Sequence, residues 1–123
     1  MSRKIRVGII GCGAIAEHLH GPDYACSPEA ELVAFCDILK VKAHALAARL
    51  APGAQVFSDY KEMLKKADVE AVSVCLPNYL HAPVTIAALK AGCNVLVEKP
   101  LAARMEEAKK MLDAEKKAGK LLM

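Results

Sequence analysis

Three short stretches carry residues whose types and spacing could do chemistry. Gly11-Cys12-Gly13-Ala14-Ile15-Ala16 fits the G-x-G-x-x-G/A pattern. Its first glycine allows a tight turn, its second lets a pyrophosphate approach the backbone, and its small sixth position lets a helix pack closely on a strand. Phosphate then meets the helix N-terminus, where unpaired N–H groups and the helix dipole favour negative charge. Alone, the hexapeptide is equally a structural corner; its place after an apolar strand and before a helix points to dinucleotide binding. Asp37 follows about two dozen residues later, at the end of the next apolar run. An acid there hydrogen-bonds the adenosine ribose hydroxyls, although an ordinary loop aspartate fits the same position. A 2'-phosphate about 4 Å from that carboxylate would be repelled by roughly 4 kcal/mol at an effective dielectric near 20, before solvent reduces the figure. NAD is therefore expected over NADP, with Lys40 or Lys42 softening the preference.

The third stretch is Glu98-Lys99-Pro100, directly after an apolar run. A snorkelling lysine is the plain reading of Lys99. The chemical reading is that its ammonium hydrogen-bonds a substrate hydroxyl whose charge changes as hydride leaves. Ligands of open parallel sheets bind outside the carboxyl ends of the strands. Asp37, Ser58, Asn78, Glu98 and Lys99 all fall at such ends, and Leu76-Pro77-Asn78 follows the fourth strand. The histidines are weaker candidates. His18 and His20 lie two apart on a helix and point to different faces, which excludes a metal pair. His81 near a helix start is as well suited to capping or packing as to ligand contact, and His44 reads as a helix-surface residue. No cysteine and histidine spacing resembles a zinc site, so no metal is expected.

These residues need a scaffold, and the rest of the chain supplies one. Strand-like runs alternate with helical patterns at the spacing of βαβ units, which predicts a doubly wound parallel sheet with helices on both faces. The strands are expected at 5–10, 31–36, 55–57, 71–75 and 95–97, with the start of a sixth at 120–123. Helices are expected over 14–20, ending at Gly21-Pro22; over 41–50; up to Lys66 from a cap at Ser58 or Asp59; from about Asn78 to Ala91; and over 103–118, ending at Gly119. The last of these places Met105, Ala108, Met111 and Leu112 on one stripe, with Glu106–Lys110 and Asp113–Lys117 as i,i+4 pairs outside.

At 123 residues the chain has the length of one domain, and at that size about two-thirds of the unfolded surface is buried on folding. It is 54% hydrophobic and 25% charged, too apolar for disorder, and it lacks an apolar run of about 18 residues that could span a bilayer. Its +3 charge is dispersed among acids, and three Tyr and two Phe give few stacking platforms, which argues against nucleic-acid binding. Five cysteines form no Cys-x-x-Cys pair, and Met1 to Lys4 pass into a strand with no apolar leader. A cytoplasmic location is the expectation.

Together, Gly11 to Ala16, Val33-Ala34-Phe35-Cys36-Asp37, Pro77-Asn78-Tyr79-Leu80-His81 and Ala91-Gly92-Cys93-Asn94-Val95-Leu96-Val97-Glu98-Lys99-Pro100 resemble the glucose-fructose oxidoreductase, inositol dehydrogenase and rhizopine-catabolism family, Gfo/Idh/MocA. The resemblance runs from about Lys4 to Met123. It implies a three-layer αβα Rossmann domain of an NAD(P)-dependent oxidoreductase acting on sugars, cyclitols and related hydroxy compounds. It implies that Lys99 takes part in catalysis, that Asn78, His81 and Glu98 lie near the nicotinamide ribose, and that the Lys99–Pro100 bond is cis. With Gly11, Cys12, Gly13, Ala14, Ile15, Asp37, Leu76 and Lys99 these complete the expected cofactor set. Cys93 and Asn94 stand where many members carry lysine and histidine. Family enzymes continue into a substrate domain that often forms the oligomer interface. Residues 1–123 are therefore expected to be the cofactor domain alone, folding and binding the dinucleotide with little turnover by itself. The competing functions are a dinucleotide-binding sensor without redox chemistry, and an S-adenosylmethionine enzyme, which the Glu98-Lys99-Pro100 element disfavours.

Overall fold

Continuous aliphatic runs form strands covered on both faces, and alternation within each run then assigns side chains to two cores. In β1 (Ile5–Ile10), Val7 and Ile9 face one layer of helices while Ile10 faces the other. The computed structural model, which describes residues 3–123, arranges β1, β2 (Ala30–Cys36), β3 (Gln55–Phe57), β4 (Ala71–Val74) and β5 (Asn94–Val97) as a parallel sheet in the order β3-β2-β1-β4-β5. The chain end extends it: Leu122 bridges Val95 in parallel, and Val95 N donates to Leu121 O at 2.8 Å. The start of a sixth strand expected at 120–123 is thus present as a single bridge, which the structure sets beside β5.

On one face lie α1 (Gly21–Cys26), with the helical segment that precedes it, and α2 (Lys40–Leu50), packing Ala16 of that segment and Ala43, Leu46 and Ala47 of α2 against Val7, Ile9, Leu32 and Phe35. On the other lie α3 (Tyr60–Lys66), α4 (His81–Lys90) and α5 (Met105–Ala118), burying Met63, Val84, Leu89 and Met111 against Ile10, Val72, Val74 and Val95. Each fully buried side chain of this size contributes about 1.5–3 kcal/mol relative to exposure. The result is the expected three-layer Rossmann architecture.

Two local expectations are corrected. Gly21-Pro22 does not end the first helix. A π-helical segment, Ala16–His20, runs directly into α1, with Gly21 N–H bonded to Ala16 O and Pro22 in the first turn of α1. Pro22 thus sits at the join where the helix passes from π to α. Gly21 is a close-approach residue rather than a breaker: a Cβ would sit 2.5 Å from Leu50 Cδ1. In α5 the buried stripe is rotated. Met111 and Ala114 are buried, whereas Met105 and Leu112 are 74% and 51% exposed. The helix begins at Met105 rather than at 103, and the ion pair in this region is Arg104–Glu106 at 3.5 Å rather than an i,i+4 pair.

Candidate functional site

The carboxyl ends of β1, β2, β4 and β5 open on one edge of the sheet, and two differently built halves meet there. The first is made of backbone. Gly11 has φ +95°, a conformation L side chains rarely adopt, and a Cβ on it would fall 2.3 Å from Cys75 O. That approach seats the β1 turn against the end of β4. Gly13 is the opposite case: a Cβ there would have nothing within 4 Å. Space is therefore left over the glycine turn just where the helix begins.

Asp37 leaves β2 beside this turn and is tied to it. Its Oδ2 accepts from Cys12 N at 2.8 Å and its Oδ1 from Leu39 N at 2.8 Å. The carboxylate is held in one orientation, half-buried, at the rim of a cavity of about 370 Å³ that Gly11, Ile38, Leu76, Leu80 and Val84 also line. Ile38 is 88% exposed in that rim. A second cavity of about 340 Å³ lies between the glycine turn and α2, lined by Cys12, Gly13, Ala14, Lys42 and Arg49. Ile15 is half-buried in the first helical turn. The Cys12 side chain faces inward, its Sγ donating to Cys36 O at 3.4 Å, and burial chiefly, with the Asp37 charge, pushes its thiol up to about 12. Cys12 therefore offers the site its backbone N–H rather than a thiolate nucleophile. Asp59, not Ser58, caps α3, its Oδ1 accepting from Lys61 N at 3.0 Å.

The second half is made of side chains. Glu98 follows β5, and its Oε2 accepts from Lys99 N at 3.2 Å. Its Oε1 lies 2.7 Å from His20 Nε2, and His20 Nδ1 lies 3.0 Å from Ser73 Oγ, itself 2.6 Å from Tyr24 Oη. The His20 hydrogen bond outweighs burial and holds the Glu98 carboxyl below its ordinary range. Lys99 is exposed, and the Lys99–Pro100 bond is cis, as the resemblance implies. Asn78 opens a short 3-10 turn, Asn78–Leu80, at the end of the β4 loop and is exposed.

His81 takes the packing place that its position near a helix start allows. The ring is 1% exposed, with Nδ1 2.6 Å from Pro100 O and Nε2 2.8 Å from Leu76 O. Carbonyl oxygens only accept, so both bonds form together in the imidazolium and one of them in the neutral ring. No ring edge is left for a ligand. The ring fastens the loop after β5 to the loop after β4.

His20, Ser73 and Tyr24 were missed by the sequence reading. The signal that could have found two of them is the i,i+4 spacing of His20 and Tyr24, which share a helix face once the helix is continued through Pro22. Among the described residues no group of three or more His, Cys, Asp or Glu is placed to hold a metal ion, and no helix is long and apolar enough to cross a membrane.

Residues 5–123 match the family model described as an oxidoreductase family, NAD-binding Rossmann fold. The chain is 42% identical over 121 residues to D-glucoside 3-dehydrogenase of Escherichia coli, an alignment covering 98% of this chain and 34% of that protein. A 3-ketoreductase from Actinomadura kijaniata, solved in complex with NADP, superimposes with a TM-score of 0.92 at 36% identity, covering 98% of this chain and 38% of that one. A dehydrogenase from Bordetella pertussis in complex with NADH and UDP-GlcNAcA gives a TM-score of 0.90 at 36% identity, covering 98% and 36%. The chain spans about a third of the length of the curated relatives it matches.

Proposed function

We propose, for a chain that belongs to the Gfo/Idh/MocA oxidoreductase family, that it holds a nicotinamide dinucleotide for hydride transfer to or from a sugar, cyclitol or related hydroxy compound. The observation that carries this reading is the pairing of Gly11, which must lack a side chain to seat the turn, with Gly13, over which space is left, beside a carboxylate fixed by the same turn. A dinucleotide fits that arrangement. Backbone N–H groups of Gly13, Ala14 and Ile15 at the helix start suit the pyrophosphate. Asp37 suits the adenosine ribose, and the cavity walled by Ile38, Leu76 and Leu80 suits the adenine. Asn78, Glu98 and Lys99 are left for the nicotinamide end, with His81 holding their loops in place.

When bound, the cofactor supplies the hydride or accepts it. The chain's own contribution is orientation and proton handling. Lys99, exposed at the end of β5, is assigned to the substrate oxygen, where its ammonium hydrogen-bonds the oxygen as charge develops on it. Glu98, fixed by His20 and the Lys99 amide, sets the direction in which that segment leaves the sheet. An exposed lysine at this place favours an oxidoreductase over a dinucleotide sensor. The substrate wall, acid–base partners and any oligomer interface are assigned to sequence outside these 123 residues, since the relatives are about three times as long. We place the protein in the cytoplasm, which suits five free cysteines.

The test is a fluorescence titration of NADH, with NADPH and S-adenosylmethionine as competitors. NADH is expected to bind more tightly than NADPH, and Asp37→Ala to narrow the gap by about tenfold. S-adenosylmethionine displacing NADH at equal concentration would overturn the assignment, and equal affinities for NADH and NADPH would remove Asp37 as its ribose ligand.

A further inference from the structure

Behind Glu98 lies a chain of polar side chains that holding a cofactor does not by itself require. Tyr24 Oη, Ser73 Oγ, His20 Nδ1, His20 Nε2 and Glu98 Oε1 are linked at 2.6, 3.0 and 2.7 Å. Ser73 is fully buried and the His20 side chain is 9% exposed. Three separate elements contribute: the π-helical turn and α1, β4, and the end of β5.

The donors and acceptors run in one direction. Glu98, held as a carboxylate, only accepts, so His20 Nε2 carries the proton and donates it. The other nitrogen of a neutral imidazole is an acceptor, so the Ser73 hydroxyl donates to Nδ1. Ser73 Oγ then accepts from the Tyr24 hydroxyl. With the imidazole neutral, each polar atom of the chain is satisfied in this arrangement, and such networks orient their members more firmly than isolated pairs do.

We propose that His20 is a positioning residue for the nicotinamide end of the cofactor: its Nε2–H, kept on that nitrogen by Tyr24 and Ser73, aims the Glu98 carboxylate and with it the Lys99 segment. This rests on the dinucleotide reading above. Glu98 is gripped from two sides, by His20 at Oε1 and by the Lys99 amide at Oε2. Removal of His20 leaves the carboxylate held by one local bond. The adenosine and pyrophosphate half, built from Gly11, Gly13 and Asp37, has no bond to this chain of side chains and keeps its geometry.

The experiment compares two probes on the unmodified chain and its variants: NADH, and ADP, which lacks the nicotinamide and its ribose. His20→Ala is expected to weaken NADH about tenfold, as for loss of one hydrogen bond to a charged group, and to leave ADP affinity unchanged. His20→Gln, whose amide N–H can donate to Glu98, is expected to recover most of the loss. Equal weakening of both probes would mean a merely structural residue, and unchanged NADH affinity would mean no role; either overturns the inference. Should His20→Ala fail to fold, long-range ¹H–¹⁵N NMR of the unmodified chain decides, with the Nε2–H tautomer expected and the Nδ1–H tautomer contradicting it. An unmodified chain that does not bind NADH, with or without ADP binding, overturns the dinucleotide reading itself, and the inference with it; one that binds NADH while His20→Ala binds it as tightly overturns the inference alone.

Discussion

The two halves of the sheet edge are made of different materials. Around Gly11, Gly13 and Asp37 the site is backbone: a positive φ, an open space and two amides bonded to one carboxylate. Around Glu98 and Lys99 it is side chains reaching across the fold, with His20 and Glu98 78 positions apart in the chain and His81 and Pro100 19 apart. The first half depends on local conformation and tolerates change only where a Cβ has room. The second depends on long-range hydrogen bonds, and its parts can be removed one at a time.

Substitutions that separate the halves follow in order of size. Gly11→Ala forces an L residue into φ +95° and a Cβ to 2.3 Å from Cys75 O. We expect a loss of about 4 kcal/mol or more, a large part of an ordinary domain's stability, read from the urea midpoint. His81→Ala removes a buried ring that joins Pro100 O to Leu76 O and is expected to cost about 2–4 kcal/mol, with NADH binding weakened alongside. A midpoint unchanged by this substitution would show that the two loops need no fastening.

Gly13→Ala is the sharper comparison with Gly11. Its φ is not in the left-handed region and its Cβ meets nothing within 4 Å, so stability should hold or rise by up to about 1 kcal/mol. NADH affinity should nevertheless fall at least about tenfold, because the methyl group occupies the space assigned to phosphate. Unchanged affinity would remove the pyrophosphate from this place.

The smallest effect comes from the opposite edge of the sheet and serves as the contrast. Glu70 pairs with Arg3 at 2.7 Å and Arg6 at 3.2 Å. The Arg3 hydrogen bond first, then the Arg6 backbone N–H, holds its carboxyl down to about 2. A depressed carboxyl stabilises the fold above its unfolded value of about 4.3, and that contribution is lost as pH falls from there towards 2. Glu70→Gln should therefore flatten the acid limb of the stability profile between these values and leave NADH affinity at neutral pH as it was.

The same division governs what could be read from the sequence. Gly11 and Gly13 were legible because glycines at a strand end announce a backbone conformation, and Asp37 because an acid at the end of the next strand belongs to the same sequence pattern. The parallel sheet with helices on both faces followed from alternating strands and helices, and the start of the sixth strand from an apolar run after Gly119. His20 was not legible, because its partner is 78 residues away and Gly21-Pro22 looked like a stop rather than the join between a π-helical turn and α1. For His81 the packing alternative was legible but its partners were not, since no local pattern says that carbonyls from two different loops will surround its ring. The stripe on α5 was misphased because Met105 and Leu112 are apolar yet exposed, and Ala114 carries the contact instead.

The central claim is that one nicotinamide dinucleotide lies across both halves of this edge. Amide ¹H–¹⁵N spectra of the ¹⁵N-labelled chain, recorded during an NADH titration, test it residue by residue. The account predicts saturable shifts at Gly11, Gly13, Ala14 and Asp37 together with Glu98 and Lys99, while α5 and the Glu70 edge stay unmoved. Shifts that do not saturate, or that fall on α5 or around Glu70 instead, would contradict it.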